Sequence, residues 1–192
     1  MKIGLYFGTF NPIHAGHLII ANHFAEYSDL DKIWMVITPH NPFKKKKTLL
    51  DNHHRHQLVQ LAVEDYPKLE ASTIEFKLPQ PNYTVNTLIH LQEKFPDYEF
   101  CLIMGEDNLK SLHKWKNYEV ILEHHEIYVY PRVSEGTVEH QFKDHPKIHV
   151  VDAPIVEISS THIRNAVKAG KEVRPMLPPE VWKYMDEMNF YR

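Results

Sequence analysis

A single cysteine, Cys101, stands in the whole 192-residue chain. An internal disulfide is therefore excluded, which suits a reducing compartment and predicts a cytoplasmic protein. Long hydrophobic runs are also missing: no apolar stretch approaches the eighteen or more residues of a membrane span. The chain opens directly on a strand-like run, so no signal peptide is expected. Charge of one sign is lacking as well, with 22 Lys and Arg against 25 Asp and Glu and a net charge of -3. A general affinity for nucleic acid or for a membrane surface is not expected, and any anion binding must be local. No linker, repeat or low-complexity tract interrupts the chain, and no carboxylate cluster suggests a dedicated cage for Mg2+. What is present is 43% hydrophobic residues, enough for one domain over residues 1–192. A core of this size buries about 70% of the unfolded surface. A homo-oligomer stays open.

Strand and helix patterns alternate. Strands are predicted at 3–8, 33–38, 71–77, 99–104, 126–130 and 147–151. Helices are predicted near 16–27, 52–65, 84–94, 106–113, 117–123, 160–169 and 179–188. Several strands, such as IWMVIT and EFCLIM, are nearly continuous apolar runs, as expected where helices cover both faces of a parallel sheet. The expected fold is α/β, a doubly wound parallel sheet with C-terminal helices packing beside its rim. Ligands in such sheets settle beyond the carboxyl ends of the strands, where the strand order switches.

Residues 3–17, IGLYFGTFNPIHAGH, run from a strand through Gly8-Thr9-Phe10 into a helix that carries His14 and His17. A helix start offers free N–H groups and partial positive charge, and a glycine lets a phosphate approach the main chain. Two imidazoles three residues apart face the same way and donate to phosphate oxygens; a metal pair or a polar surface fits the same spacing. A second anion site is EISSTHIRNAVKAG, residues 157–170. Ser159 or Ser160 caps a helix there, Gly170 stops it, and Ser160, Thr161 and Arg164 add donors and a permanent planar charge. A capped surface helix is the bland alternative.

GTFNPIHAGH resembles the (H/T)xGH signature of the nucleotidylyltransferases, and ISSTHIR resembles their ISSTxIR motif. The remaining segments narrow the resemblance to the bacterial nicotinate-nucleotide adenylyltransferases, with a Rossmann-like nucleotidylyltransferase fold. PNYTVNTL (81–88) resembles the family's (S/N)YTxxTL segment, and GEDNLKSLHKW (105–115) resembles GxDxLxxLxxW. The resemblance implies an ATP site of Gly8, Thr9, Phe10, His14, His17, Lys44, Ser159, Ser160, Thr161 and Arg164, with His14, His17 and Arg164 catalytic. It implies a nicotinate-nucleotide site of Thr84, Gly105, Asp107 and Trp115, with the Thr84 main chain on the pyridine carboxylate and Trp115 stacked on the ring. Outside the resemblance, Thr84 reads as a helix N-cap and Trp115 as a core residue. Departures are Phe7, where the family has glycine, Asn11, where it has aspartate, and Lys116, where an aromatic is frequent.

The implied activity is adenylyl transfer from ATP to nicotinate mononucleotide, with Mg2+ riding on the ATP phosphates. Transfer to nicotinamide mononucleotide, or nucleotide binding without catalysis, are the alternatives. Phosphates beside the histidines are expected to raise their pKa and favour the cation. The basic run Lys44–Lys47 reads as a solvated loop or as one lysine, Lys44 or Lys45, reaching the triphosphate. His53, His54 and His56 are expected, with Arg55, to form a polar helix face, because neighbouring helix positions diverge by about 100°; Arg55 matches a basic position of the family.

Overall fold

The computed structural model describes residues 1–39, 49–132, 142 and 144–192. Six strands form one sheet in the order β3-β2-β1-β4-β5-β6, and every pairing is parallel. They are β1 (Lys2–Gly8), β2 (Lys32–Ile37), β3 (Leu69–Ser72), β4 (Glu99–Gly105), β5 (Ile127–Tyr130) and β6 (Ile148–Val150). Alternate side chains of β1 and β4 go to opposite faces. Tyr6, Cys101 and Ile103 enter one core cluster, while Ile3, Leu5, Phe100, Leu102 and Met104 enter the other. Burial on both faces is why these strands read as unbroken apolar runs.

Helices α1 (Ala15–Tyr27), α2 (Asn52–Val63), α6 (Ser160–Lys168) and α7 (Pro179–Glu187) bury residues in the first cluster. Helices α3 (Thr84–Lys94), α4 (Glu106–Ser111) and α5 (Tyr118–His124) cover the second face. In α1 the buried set Ile20, Ala21, Phe24 and Ala25 repeats at three and four residues, as one helical stripe requires. Strand order reverses between β1 and β4, so the crevice lies at their carboxyl ends, Gly8 and Gly105.

The sequence reading of 71–77 needs correction. Strand β3 occupies Leu69–Ser72, and Ile74–Lys77 forms a 3-10 turn. The alternation of Ile74 and Phe76 imitates a strand, but β3 is an edge strand whose ladder to β2 ends at Val36 and Ser72. The chain then turns Glu75 inward, leaving it 2% exposed with its carboxyl accepting from Thr87 Oγ1 at 2.7 Å. Burial pushes the Glu75 pKa up.

Candidate active site

The turn after β1 is held tightly. Phe10 adopts φ 45°, a left-handed conformation that costs a non-glycine residue about 1–2 kcal/mol. Its ring, 1% exposed, offsets this by packing edge-on to Tyr6 and His17, with centroids 6.0 and 5.0 Å away. Gly8 makes that possible, because a Cβ there would lie 2.7 Å from the Phe10 ring. Thr38 N–H donates to the Gly8 carbonyl at 2.9 Å, tying the ends of β1 and β2 together.

His14 is the N-cap of α1, and the His14 and His17 rings stack with centroids 3.7 Å apart. Gly16 leaves room for this: a Cβ there would stand 3.1 Å from His14 Nδ1. The His14 N–H donates to His17 Nδ1 at 3.2 Å, which places the proton of a neutral His17 on Nε2. His14 is 4% exposed, and its buried Nδ1 has no hydrogen-bond partner among the described residues. Burial first, and the Arg132 charge second, push the His14 pKa down to about 4. By itself this imidazole is therefore neutral at pH 7.

Residues 8–17 and 157–170, about 150 residues apart in sequence, meet here. Arg164 Nη1 donates to the Asn11 carbonyl at 2.7 Å and Ser160 Oγ donates to the Pro12 carbonyl at 2.8 Å. Arg164 Nη2 also donates to Thr161 Oγ1, at 3.2 Å. Ser159, the N-cap of α6, accepts from His162 N–H. Asn11 Oδ1 accepts from Leu50 N–H at 3.1 Å and from the Tyr191 hydroxyl at 2.7 Å, acceptor duties that an aspartate oxygen also fulfils.

On α2 His53 is exposed and His54 and His56 are half-buried, but Arg55 departs from the polar-face reading. It is fully buried, and its guanidinium donates to the carbonyls of Leu50, Thr9, Thr38 and Pro39 and to Asn52 Oδ1. His54, on a neighbouring position, meets the Tyr184 hydroxyl at 2.9 Å. A helical wheel placed Arg55 among histidines; only the convergence of four carbonyls at the sheet rim gives it an interior place. Burial pushes its pKa down to about 10, so it stays charged at neutral pH.

On the other side of the crevice, Gly105 N-caps α4 and Asp107 lies in its first turn. Arg132, just beyond β5, is a cation that the sequence reading missed. Its Nε stands 3.5 Å from Asp107 Oδ1, and its Nη2 donates to the Tyr130 hydroxyl at 3.4 Å. The Tyr130 and Tyr6 hydroxyls are 3.2 Å apart, and the Tyr6 ring lies 6.1 Å from that of His17. A chain of aromatic and polar contacts thus joins the histidines to Asp107. The signal in the sequence was a lone arginine following a predicted strand end, on the rim where ligands settle.

Thr84 is the first residue of α3, and Tyr83, not Thr84, is its N-cap. Trp115 follows a 3-10 turn, is half-buried, and packs with Tyr83 and Phe7 against the second core cluster. Phe7 therefore fits at the strand end by lying on the α3 and α5 side of the sheet. Lys44 lies outside the described residues.

Among the described residues, Glu99, Cys101 and Glu126 are the one trio placed to share a metal ion. They sit at the amino ends of β4 and β5, away from the crevice, and the Lys2 ammonium is 2.8 Å from Glu126 and 3.7 Å from Glu99. A cation already fills that charge. The crevice itself offers imidazoles, hydroxyls and guanidiniums, groups that donate hydrogen bonds to phosphate oxygens.

A parallel sheet in this order, with its crevice at the carboxyl ends of β1 and β4, defines a doubly wound α/β protein. The cytidylyltransferase-like family matches residues 5–166, so the chain belongs to that class. Proteins named "probable nicotinate-nucleotide adenylyltransferase" from Flavobacterium psychrophilum and Flavobacterium johnsoniae are 71% and 70% identical to it, each match covering 100% of both chains. One of the same name from Bacteroides fragilis is 46% identical over 95% of this chain and 90% of its own. The chain belongs to the nicotinate-nucleotide adenylyltransferase family. A solved structure of Plasmodium falciparum nicotinic acid mononucleotide adenylyltransferase complexed with NaAD shares the fold, with TM-score 0.83, 99% of this chain and 97% of that one covered, and 20% identity.

Proposed function

We infer that the protein transfers the adenylyl group of ATP to nicotinate mononucleotide, giving deamido-NAD and pyrophosphate. The observation that carries this reading is the junction of Asn11 and Pro12 with Ser160 and Arg164, which joins two anion-binding segments at the sheet's switch point. The family relationship over the full chain supports it.

An ionised 5′-phosphate oxygen of the mononucleotide attacks the α-phosphorus of ATP. The bond from that phosphorus to the bridging oxygen breaks, and pyrophosphate leaves with the electron pair. The attacking phosphate is already an anion at neutral pH and needs no base, so catalysis is positioning and charge stabilisation. His17 donates from Nε2, and His14 contributes Nδ1 or takes up a proton when phosphate charge arrives. Gly8, Thr9 and the Phe10 main chain line the α-phosphate; Ser159, Ser160, Thr161 and Arg164 face the outer phosphates, with Lys44 as a further cation. Asp107 and Gly105 take the acceptor ribose, Trp115 stacks on the pyridine ring, and the Thr84 N–H meets its carboxylate. Mg2+ enters as part of the ATP substrate, riding on its phosphates. One domain over residues 1–192, working in the cytoplasm with its single cysteine reduced, suffices for this chemistry.

The test is pyrophosphate release from Mg-ATP with nicotinate or nicotinamide mononucleotide offered separately. The expected result is a higher kcat/KM with the acid. Equal rates would remove the acid preference, and no release with either would leave a nucleotide-binding module.

A further inference from the structure

The corner between α4 and α5 places a lysine where the pyridine ring of the acceptor is expected. Trp115 is extended, with its N–H bonded to the Leu112 carbonyl at 2.9 Å, and Asn117 turns left-handed at φ 50° to start α5. Between them, exposed Lys116 sets its ammonium 4.6 Å from the centroid of the Tyr83 ring. Tyr83 is itself anchored, its carbonyl accepting from Asn86 N–H at 2.9 Å and Thr87 N–H at 3.2 Å. The cation thus stands over the residue immediately ahead of Thr84 and immediately after Trp115 in the chain. An aromatic face holds a cation without neutralising it, and no ion pair among the described residues uses Lys116.

A main-chain N–H donates to an amide carbonyl as well as to a carboxylate oxygen, so such donors separate acid from amide less sharply than a full charge does. Charge separates them well. Nicotinate mononucleotide brings a carboxylate beside its pyridinium, whereas the nicotinamide nucleotide offers a nearby cation only a neutral amide and the same pyridinium. We propose that Lys116, seated on Tyr83, selects the acid by pairing its ammonium with the ring carboxylate of the acceptor. This rests on Trp115 and Thr84 forming the pyridine subsite.

The experiment compares wild type, Lys116→Gln and Lys116→Arg with Mg-ATP and each mononucleotide. Lys116→Gln is expected to lower kcat/KM for the acid about tenfold, on the scale of one charge-assisted hydrogen bond, and to leave the amide unchanged or improved. Lys116→Arg keeps the wild-type preference, and raising the ionic strength narrows the acid-to-amide ratio of wild type but not of Lys116→Gln. The melting temperature stays at the wild-type value, because the side chain is exposed. A ratio unchanged in Lys116→Gln overturns the proposal while leaving the activity intact. A wild type inactive with both nucleotides overturns the activity and the proposal together.

Discussion

Arg55→Lys is a severe test of how the turn after β1 is held. The guanidinium makes five hydrogen bonds from three nitrogens, at 3.0 Å to Leu50, 2.7 Å to Thr9, 2.9 Å to Thr38, 3.4 Å to Pro39 and 2.6 Å to Asn52. A lysine keeps the charge but gathers its donors on one nitrogen, so it reaches about two of these acceptors. Three buried acceptors then lose their partner at about 1 kcal/mol each, or about 3 kcal/mol in all. For a chain of this length each kcal/mol shifts the melting temperature by about 2–4 °C, so calorimetry should record a fall of about 6–12 °C. The Thr9 bond carries a second consequence. With it loosened, the proposed α-phosphate site is less well positioned, and kcat/KM for ATP should drop tenfold or more. Arg55→Met, which removes the charge as well, should be at least as damaging, because the same carbonyls stay bare. An Arg55→Lys protein melting within 2 °C of wild type and using ATP equally well would show that the fork geometry is unimportant.

Three further perturbations follow. His17→Ala should lower turnover at saturating substrates by about a hundredfold, the scale of one lost transition-state donor, and a near wild-type turnover would remove His17 from the reacting centre. Burial pushes the His14 pKa down to about 4 from an ordinary 6.5, so between those values the unfolded chain holds a proton that the folded one lacks. Stability therefore falls as pH drops through that window, by about 3 kcal/mol in full, and His14→Asn should flatten the acid limb of a denaturation series. Thr84→Pro deletes one N–H at the first position of α3, which proline tolerates, after Tyr83 in extended geometry at φ -105°. The fold should persist by circular dichroism while KM for nicotinate mononucleotide rises at least tenfold and KM for ATP stays put; an unchanged KM would exclude the Thr84 main chain from the subsite.

Much of this molecule was legible in local pattern. The apolar runs of β1, β2 and β4 and the three-and-four repeat of α1 set the element order, and Gly8 to His17 with Ser159 to Arg164 mark two helix starts. Such features are local, since side-chain alternation along a strand and helix capping depend on neighbours in sequence. The misreading of 71–77 shows the limit: Ile74 and Phe76 alternate like a strand, yet the edge ladder ends at Ser72 and the buried group is Glu75. Tertiary structure alone decided the interior place of Arg55, which follows from four carbonyls converging from three separate segments. It also decided that Arg132 faces Asp107, that Phe7 packs on the same cluster as Tyr83 and Trp115, and that burial pushes the His14 pKa down. The sequence by itself determined which groups are available for phosphate chemistry. Their distances, desolvation and shared partners depend on residues far apart in the chain, and only folding brings those together.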